Sequence, residues 1–177
     1  MTTTKKTTTR KKSTTKKVTA KPRTVAQKIP DLPKNPFAYE VLNAASKMRS
    51  KANKVQVLQR YGDPSIKAIL IWNFDDTVHS LIPEGDVPYE KNDVPVGTDH
   101  TSLRREWKNL YHFVQGGNNT LSPIRRETMF IQMLEGLHPD EADILCLVKD
   151  GRLSEKYKIN HDHVKKAYPD IEWGGRG

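Results

Sequence analysis

The chain has 177 residues, with 30 Lys and Arg against 21 Asp and Glu, 35% hydrophobic residues and a single cysteine. That length fits one domain, with or without a tail. The lone Cys146 excludes a disulfide framework and a cysteine-based zinc finger. No apolar run of about 18 residues is present, and the N-terminus lacks the apolar core of a signal peptide, so a cytosolic protein without a membrane span is expected.

The charge is unevenly placed. Residues 1–28 carry ten Lys or Arg and no acid, which leaves 20 basic and 21 acidic residues for 29–177. Thr, Lys and Arg dominate that segment, and Val18 and Val25 are its only large branched apolar side chains. It cannot bury enough surface to offset its ordering entropy, so a disordered tail is expected. Cations spaced along a flexible chain neutralise phosphates and release counterions with little sequence preference. The expected phosphate contacts are Lys5, Lys6, Arg10, Lys11, Lys12, Lys16, Lys17, Lys21 and Arg23. A solubility or packaging tail with no specific target stays open. Pro30, Pro33 and Pro36 then form a linker that favours extended backbone and holds the tail away from the domain. The expected division is a tail and linker over 1–35 and a helical domain over 36–177.

Asn35-Pro36 reads as an N-cap with proline at the first helical position. Phe37, Val41, Leu42, Ala45 and Met48 recur at helical spacing, as do Val55 and Leu58 before Gly62. Asp63-Pro64 repeats the cap signal and opens SIKAILIWNF, whose apolar face is Ile66, Ile69, Leu70 and Phe74. From Ile82 to His100 three prolines and two glycines break all periodicity, which predicts a long loop. Helical spacing returns with Leu103, Trp107, Leu110, Tyr111 and Val114, and ends at Gly116-Gly117. Ser122-Pro123 starts a helix with Ile124, Ile131 and Leu134 inward. His138-Pro139 starts another, with Asp140 and Glu141 in the first turn, where the dipole favours acids. Asn160 caps a last short helix before Pro169. The reading is all-α: a compact bundle of about six or seven short helices with one long central loop, behind a disordered basic tail.

Enzyme signatures are scarce. There is no phosphate-cradling glycine loop and no glycine-flanked nucleophilic serine. His161 and His163 form a two-ligand spacing without an evident third ligand, so they read as exposed first-turn residues, and no metal or cofactor is expected. Asp75-Asp76 diverge on a helix and read as a turn or cap. Cys146, among Leu145, Leu147 and Val148, reads as a core thiol. In the neutral domain the basic groups are Arg104-Arg105 with Lys108, Arg125-Arg126, and Lys149, Arg152, Lys156 and Lys158. They stand near helix starts or the Gly116–Asn119 turn, where free N–H groups suit phosphate oxygens. Asn118, Arg125 and Arg126 are the candidate domain contacts. Pairing of these cations with Glu106, Glu127 and Asp150 stays open.

The stretches KAILIWNFDDTVHSLIPEG, NDVPVGTDHTSLRREWKNLYHFVQGGNN, RRETMFIQMLEGLHPDEADILCLVKDGRL and AYPDIEWGGR resemble an uncharacterised protein family of tailed phages infecting marine cyanobacteria. The resemblance implies a phage-encoded protein in a host cytoplasm, or a virion component. The second half is also similar to the helical N-terminal DNA-binding domain of phage ATP-dependent DNA ligases, on Gly117-Asn118, EADILCLVKD, GRLSEKYKI and NHDHVKKAYP. That similarity implies a surface gripping double-stranded DNA through its phosphates, and phage replication or repair proteins as partners. Ligases carry an adenylated lysine in Lys-x-Asp-Gly on a following domain. Here Lys149-Asp150-Gly151 lacks the intervening residue, so ligase activity is not expected. The expected function is a non-catalytic nucleic-acid-binding accessory protein. The alternatives are a protein-interaction module, using the 83–100 loop and the Trp173 end, or a minor virion component.

Overall fold

Side-chain caps set most of the helix starts. The structure, a computed structural model, describes residues 1–2, 27–95 and 97–176. Among these, eight α-helices run in the order α1 (Ala38–Lys47), α2 (Lys51–Tyr61), α3 (Pro64–Phe74), α4 (Leu103–Glu106), α5 (Pro123–Gly136), α6 (Pro139–Lys149), α7 (Leu153–Tyr157) and α8 (His161–Ala167). A 3-10 helix, Trp107–Phe113, continues α4. The fold is all-α. The described residues contain no named strand, and Ser80 and Val114 form an isolated antiparallel bridge.

The expected caps at Asp63, Ser122 and Asn160 each accept a backbone N–H from the first turn of their helix: Ile66 at 3.0 Å, Arg125 at 3.4 Å and His163 at 3.1 Å; Ser50, not singled out in the sequence, does the same for Asn53 at 3.1 Å. The first helix departs from the sequence reading. Its cap is Phe37, not Asn35, and Glu40 reaches back to accept the Phe37 N–H at 2.8 Å. The next free donor, Ala38 N–H, goes to Glu141 Oε1 at 3.0 Å, while the second oxygen of Glu141 accepts Leu103 N–H at 2.9 Å. One buried carboxylate of α6 therefore caps the starts of both α1 and α4.

The core lies where α6 meets α1, α3 and α5, with Val41, Leu42, Ile69, Leu70, Phe130, Leu134, Ile144 and Leu145 all excluded from solvent. In α5 the buried positions are Arg126, Phe130 and Leu134, an i, i+4, i+8 row. Ile124, expected inward, is 80% exposed. It lies six residues from Phe130, about 120° round the helix.

The segment after Glu106 winds with three residues per turn rather than 3.6. Trp107, Leu110 and Phe113 then share one side, and Lys108 and Tyr111 share another. Phe113 is fully buried, Trp107 is half-buried and Tyr111 is 47% exposed, which corrects the expectation of a helix burying Trp107 and Tyr111. Beyond Phe113 the chain turns extended. Leu81 N–H donates to Phe113 O at 2.8 Å and Gln115 N–H to His79 O at 2.9 Å.

The long loop is irregular, as expected, and fastened. The Lys149 ammonium, with a fully buried side chain, donates to Pro83 O at 2.9 Å, Gly85 O at 2.7 Å and Asp150 Oδ1 at 2.6 Å. The proline linker does not stand away from the domain. The Tyr61 hydroxyl donates to Pro30 O at 3.0 Å and accepts Leu32 N–H at 3.0 Å, and Arg60 pairs with Asp31 at 2.8 Å.

Candidate nucleic-acid interface

Lys5, Lys6, Arg10, Lys11, Lys12, Lys16, Lys17, Lys21 and Arg23 lie outside the described residues. The described chain picks up at Gln27, which is tied to the corner between α1 and α2. Its side chain accepts Arg49 N–H at 3.1 Å, and its carbonyl accepts from Asn53 Nδ2 at 3.0 Å.

Asn118, Arg125 and Arg126 are brought together around the turn before α5, and they are not equivalent. Arg126 is buried. Its Nε donates to His112 O at 2.8 Å, and its Nη2 donates to Asn118 O at 2.8 Å and Leu121 O at 3.3 Å. This buried guanidinium latches the turn onto α5 and spends its Nε and Nη2 donors on protein carbonyls. The Asn118 side chain is also engaged. Its Nδ2 meets His112 Nδ1 at 2.9 Å, and its Oδ1 accepts from Thr120 N–H at 3.0 Å and the Thr120 hydroxyl at 2.8 Å. Arg125 is exposed and makes no ion pair with the described residues.

The other basic groups divide the same way. Arg104 pairs with Asp63 at 2.6 Å, Arg152 with Glu155 at 2.8 Å and Lys156 with Asp143 at 3.6 Å. Arg105, Lys108 and Lys158 are exposed and without a carboxylate in ion-pair range among the described residues. Of the four cations from Lys149 to Lys158, Lys158 alone lacks such a partner among the described residues.

An apolar groove of about 390 Å³ opens between α3, the 3-10 helix and the Gly116-Gly117 turn, edged by Trp72, Trp107, Lys108, Tyr111, Val114 and Arg176. The turn lies so close to the 3-10 helix that a Cβ at Gly117 would stand 1.9 Å from Tyr111 O, so only glycine fits. The Lys108 ammonium stands 5.8 Å from the centre of the Trp107 ring. Trp72 is buried, packs on Phe113 at 6.4 Å, and its indole N–H has no partner among the described residues. The 3.6-residue reading assigned Trp107 and Tyr111 to the core. The signal that could have found the groove is the aromatic crowding of WKNLYHF, with a Trp, a Tyr, a His and a Phe in seven residues, more than one face holds.

Asp75 behaves as the expected turn residue. Its side chain is 1% exposed, and burial pushes its carboxyl up. Hydrogen bonds from the Thr77 hydroxyl and N–H, Gly174 N–H and Arg176 outweigh that and bring the pKa down to about 2. His163 corrects the expectation of an exposed histidine: it is buried, and its Nδ1 accepts Asn160 N–H at 3.1 Å. His161 is half-buried between Phe74 at 6.2 Å and Trp173 at 4.3 Å. Trp173 is thus packed rather than presented. Burial pushes the Cys146 thiol up to about 11, which suits an inert side chain. Among the described residues no group of three or more His, Cys, Asp or Glu stands where it could hold a metal ion, and no helix is long and apolar enough to cross a membrane.

Fold and site together define an all-α protein that carries, among its described residues, exposed cations without ion-pair partners and an aromatic-edged groove. The chain belongs to DUF6433, a family of unknown function whose model matches residues 41–155. Comparisons with curated proteins and with solved structures give no match.

Proposed function

We propose that this protein is a non-catalytic nucleic-acid-binding accessory protein, phage-encoded and acting in a host cytoplasm, with double-stranded DNA as its partner. The observation that carries the reading is the separation of charge: ten cations and no acid over residues 1–28, joined to a remainder with 20 cations and 21 acids. Nonspecific affinity for phosphates needs spaced cations and counterion release, and no catalytic group. The resemblance to the DNA-binding domain of phage ligases supports the same partner, and replication or repair proteins are the company such a factor keeps. The test is binding of the intact protein to duplex DNA over a salt series. Affinity that falls steeply as salt rises supports the reading, and no binding at low salt overturns it.

The groove favours a second reading, a protein-interaction module. Apolar walls bearing Trp107 and Tyr111 suit an aliphatic or aromatic side chain of a partner peptide better than a phosphate. Tryptophan fluorescence separates the two readings, since a peptide seated in the groove perturbs Trp107 and a duplex on the arm does not.

A further inference from the structure

Arg125 and Arg126 do not make a patch, but another part of the surface does. Lys51 and Lys54 lie one turn apart at the start of α2, Lys158 follows α7, and Lys165 and Lys166 end α8. The fold draws them together. The Lys54 ammonium donates to the carbonyl of Lys158 at 2.6 Å, and Gln59 Nε2 of α2 donates to the carbonyl of Lys166 at 3.4 Å. The convergence is registered at His163, buried beneath: burial first, then the charges of Lys54, Lys51 and Lys166, lower its pKa, with Asp162 opposing. Lys54 is itself held low by burial and by Lys158.

None of these five lysines has a carboxylate in ion-pair range among the described residues, whereas Arg60, Lys67, Lys91, Arg104, Lys149, Arg152, Lys156 and Arg176 all do. Arg105, Lys108 and Arg125 also lack an ion-pair partner among the described residues, but on this face five such cations are gathered on two packed helices and the turn before α8. The basic arm also meets the domain beside this place. Gln27, the last arm residue before Lys28, is bonded to Asn53, which lies between Lys51 and Lys54, and to Arg49 N–H and Lys47 O.

We propose that the α2–α8 lysine face is the folded domain's own contact with the phosphates of duplex DNA, continuous with the root of the basic arm. The inference rests on the nucleic-acid reading above and adds where on the domain the backbone lies. A duplex on this face is neutralised by Lys51, Lys54, Lys158 and Lys166.

The test uses the full chain and a labelled random-sequence duplex of about 20 base pairs, with binding followed by fluorescence anisotropy from about 50 to about 300 mM salt. In Lys51→Gln/Lys54→Gln/Lys158→Gln/Lys166→Gln the slope of log affinity against log salt should fall by about 2 to 3.5, at about 0.9 per lost phosphate contact. The matching Lys→Arg set should restore it. A control set of exposed cations elsewhere, Lys34→Gln/Arg105→Gln/Lys108→Gln, should change the slope by less than about one. Because Lys54 also holds the Lys158 carbonyl, the triple variant that keeps Lys54 is run beside the quadruple, with circular dichroism on both. A slope unchanged in the folded lysine variants, or lowered equally by the control set, overturns the face while leaving the nucleic-acid reading intact. Absence of any binding by the wild-type chain overturns both.

Discussion

Arg126 Nε donates to the carbonyl of His112 at 2.8 Å, so a side chain that reads as a DNA contact is instead the tie between α5 and the 3-10 helix. Replacing Arg126 by Gln leaves the part-buried carbonyls of His112, Asn118 and Leu121 without this donor. The expected cost is about 2–4 kcal/mol. Arg125→Gln, at an exposed site, should change stability by less than about 0.5 kcal/mol. Urea unfolding of the two variants checks this, and equal midpoints would show that the latch is not worth what its geometry implies.

The same neighbourhood fixes the order of aromatic substitutions. Phe113 is fully buried against Trp72 and Phe130, with ring centres at 6.4 and 5.0 Å. Phe113→Ala should cost about 3–5 kcal/mol. Trp107→Ala, at the groove edge, should cost clearly less, about 1–2 kcal/mol. Thermal melts that reverse this order would return Trp107 to the core.

Those two residues also mark how far the sequence could be read. Caps made by a residue's own side chain, at Asp63, Ser122 and Asn160, are legible because the signal is local. The start of α1 is not, because Glu141, 103 residues from Ala38, supplies its second acceptor. The groove was hidden for a different reason. Trp107, Leu110 and Phe113 fit a three-residue period and Leu103, Trp107, Leu110 and Tyr111 a 3.6-residue one, and only tertiary pairing of Val114 with Ser80 decides between them. The arm's charge was plain, but the fate of each domain cation depended on carboxylates distant in sequence, as Arg104 on Asp63 and Lys156 on Asp143 show.

Asp75 gives the pH response. Its folded-state pKa of about 2 lies below the ordinary value of 3.8, so the ionised form is stabilised by folding. That contribution is present above about pH 4 and is lost as pH falls toward 2. Asp75→Asn should therefore flatten the acid limb of the stability profile and lower stability at neutral pH by about 1–2 kcal/mol. Denaturant unfolding of both chains from about pH 7 to about pH 2 reads it, and parallel profiles would remove Asp75 from the acid response.

Gly117→Ala would set a methyl group 1.9 Å from the carbonyl oxygen of Tyr111, so the turn must move away from the 3-10 helix. The expected loss is about 1–3 kcal/mol, together with a shift in Trp107 emission as the groove opens. An unshifted spectrum at wild-type stability would mean that the turn moves freely.

Nucleic acid held through the cations of the arm must be released as salt rises. The most direct measurement is the salt dependence of duplex DNA binding by the intact chain, compared with a full-length variant in which Lys5, Lys6, Arg10, Lys11, Lys12, Lys16, Lys17, Lys21 and Arg23 are all Gln. A steep slope is expected for the wild type and a fall of at least about four in the variant, with helical circular dichroism unchanged. A variant that binds as tightly as the wild type at low salt, with the same slope, would contradict it.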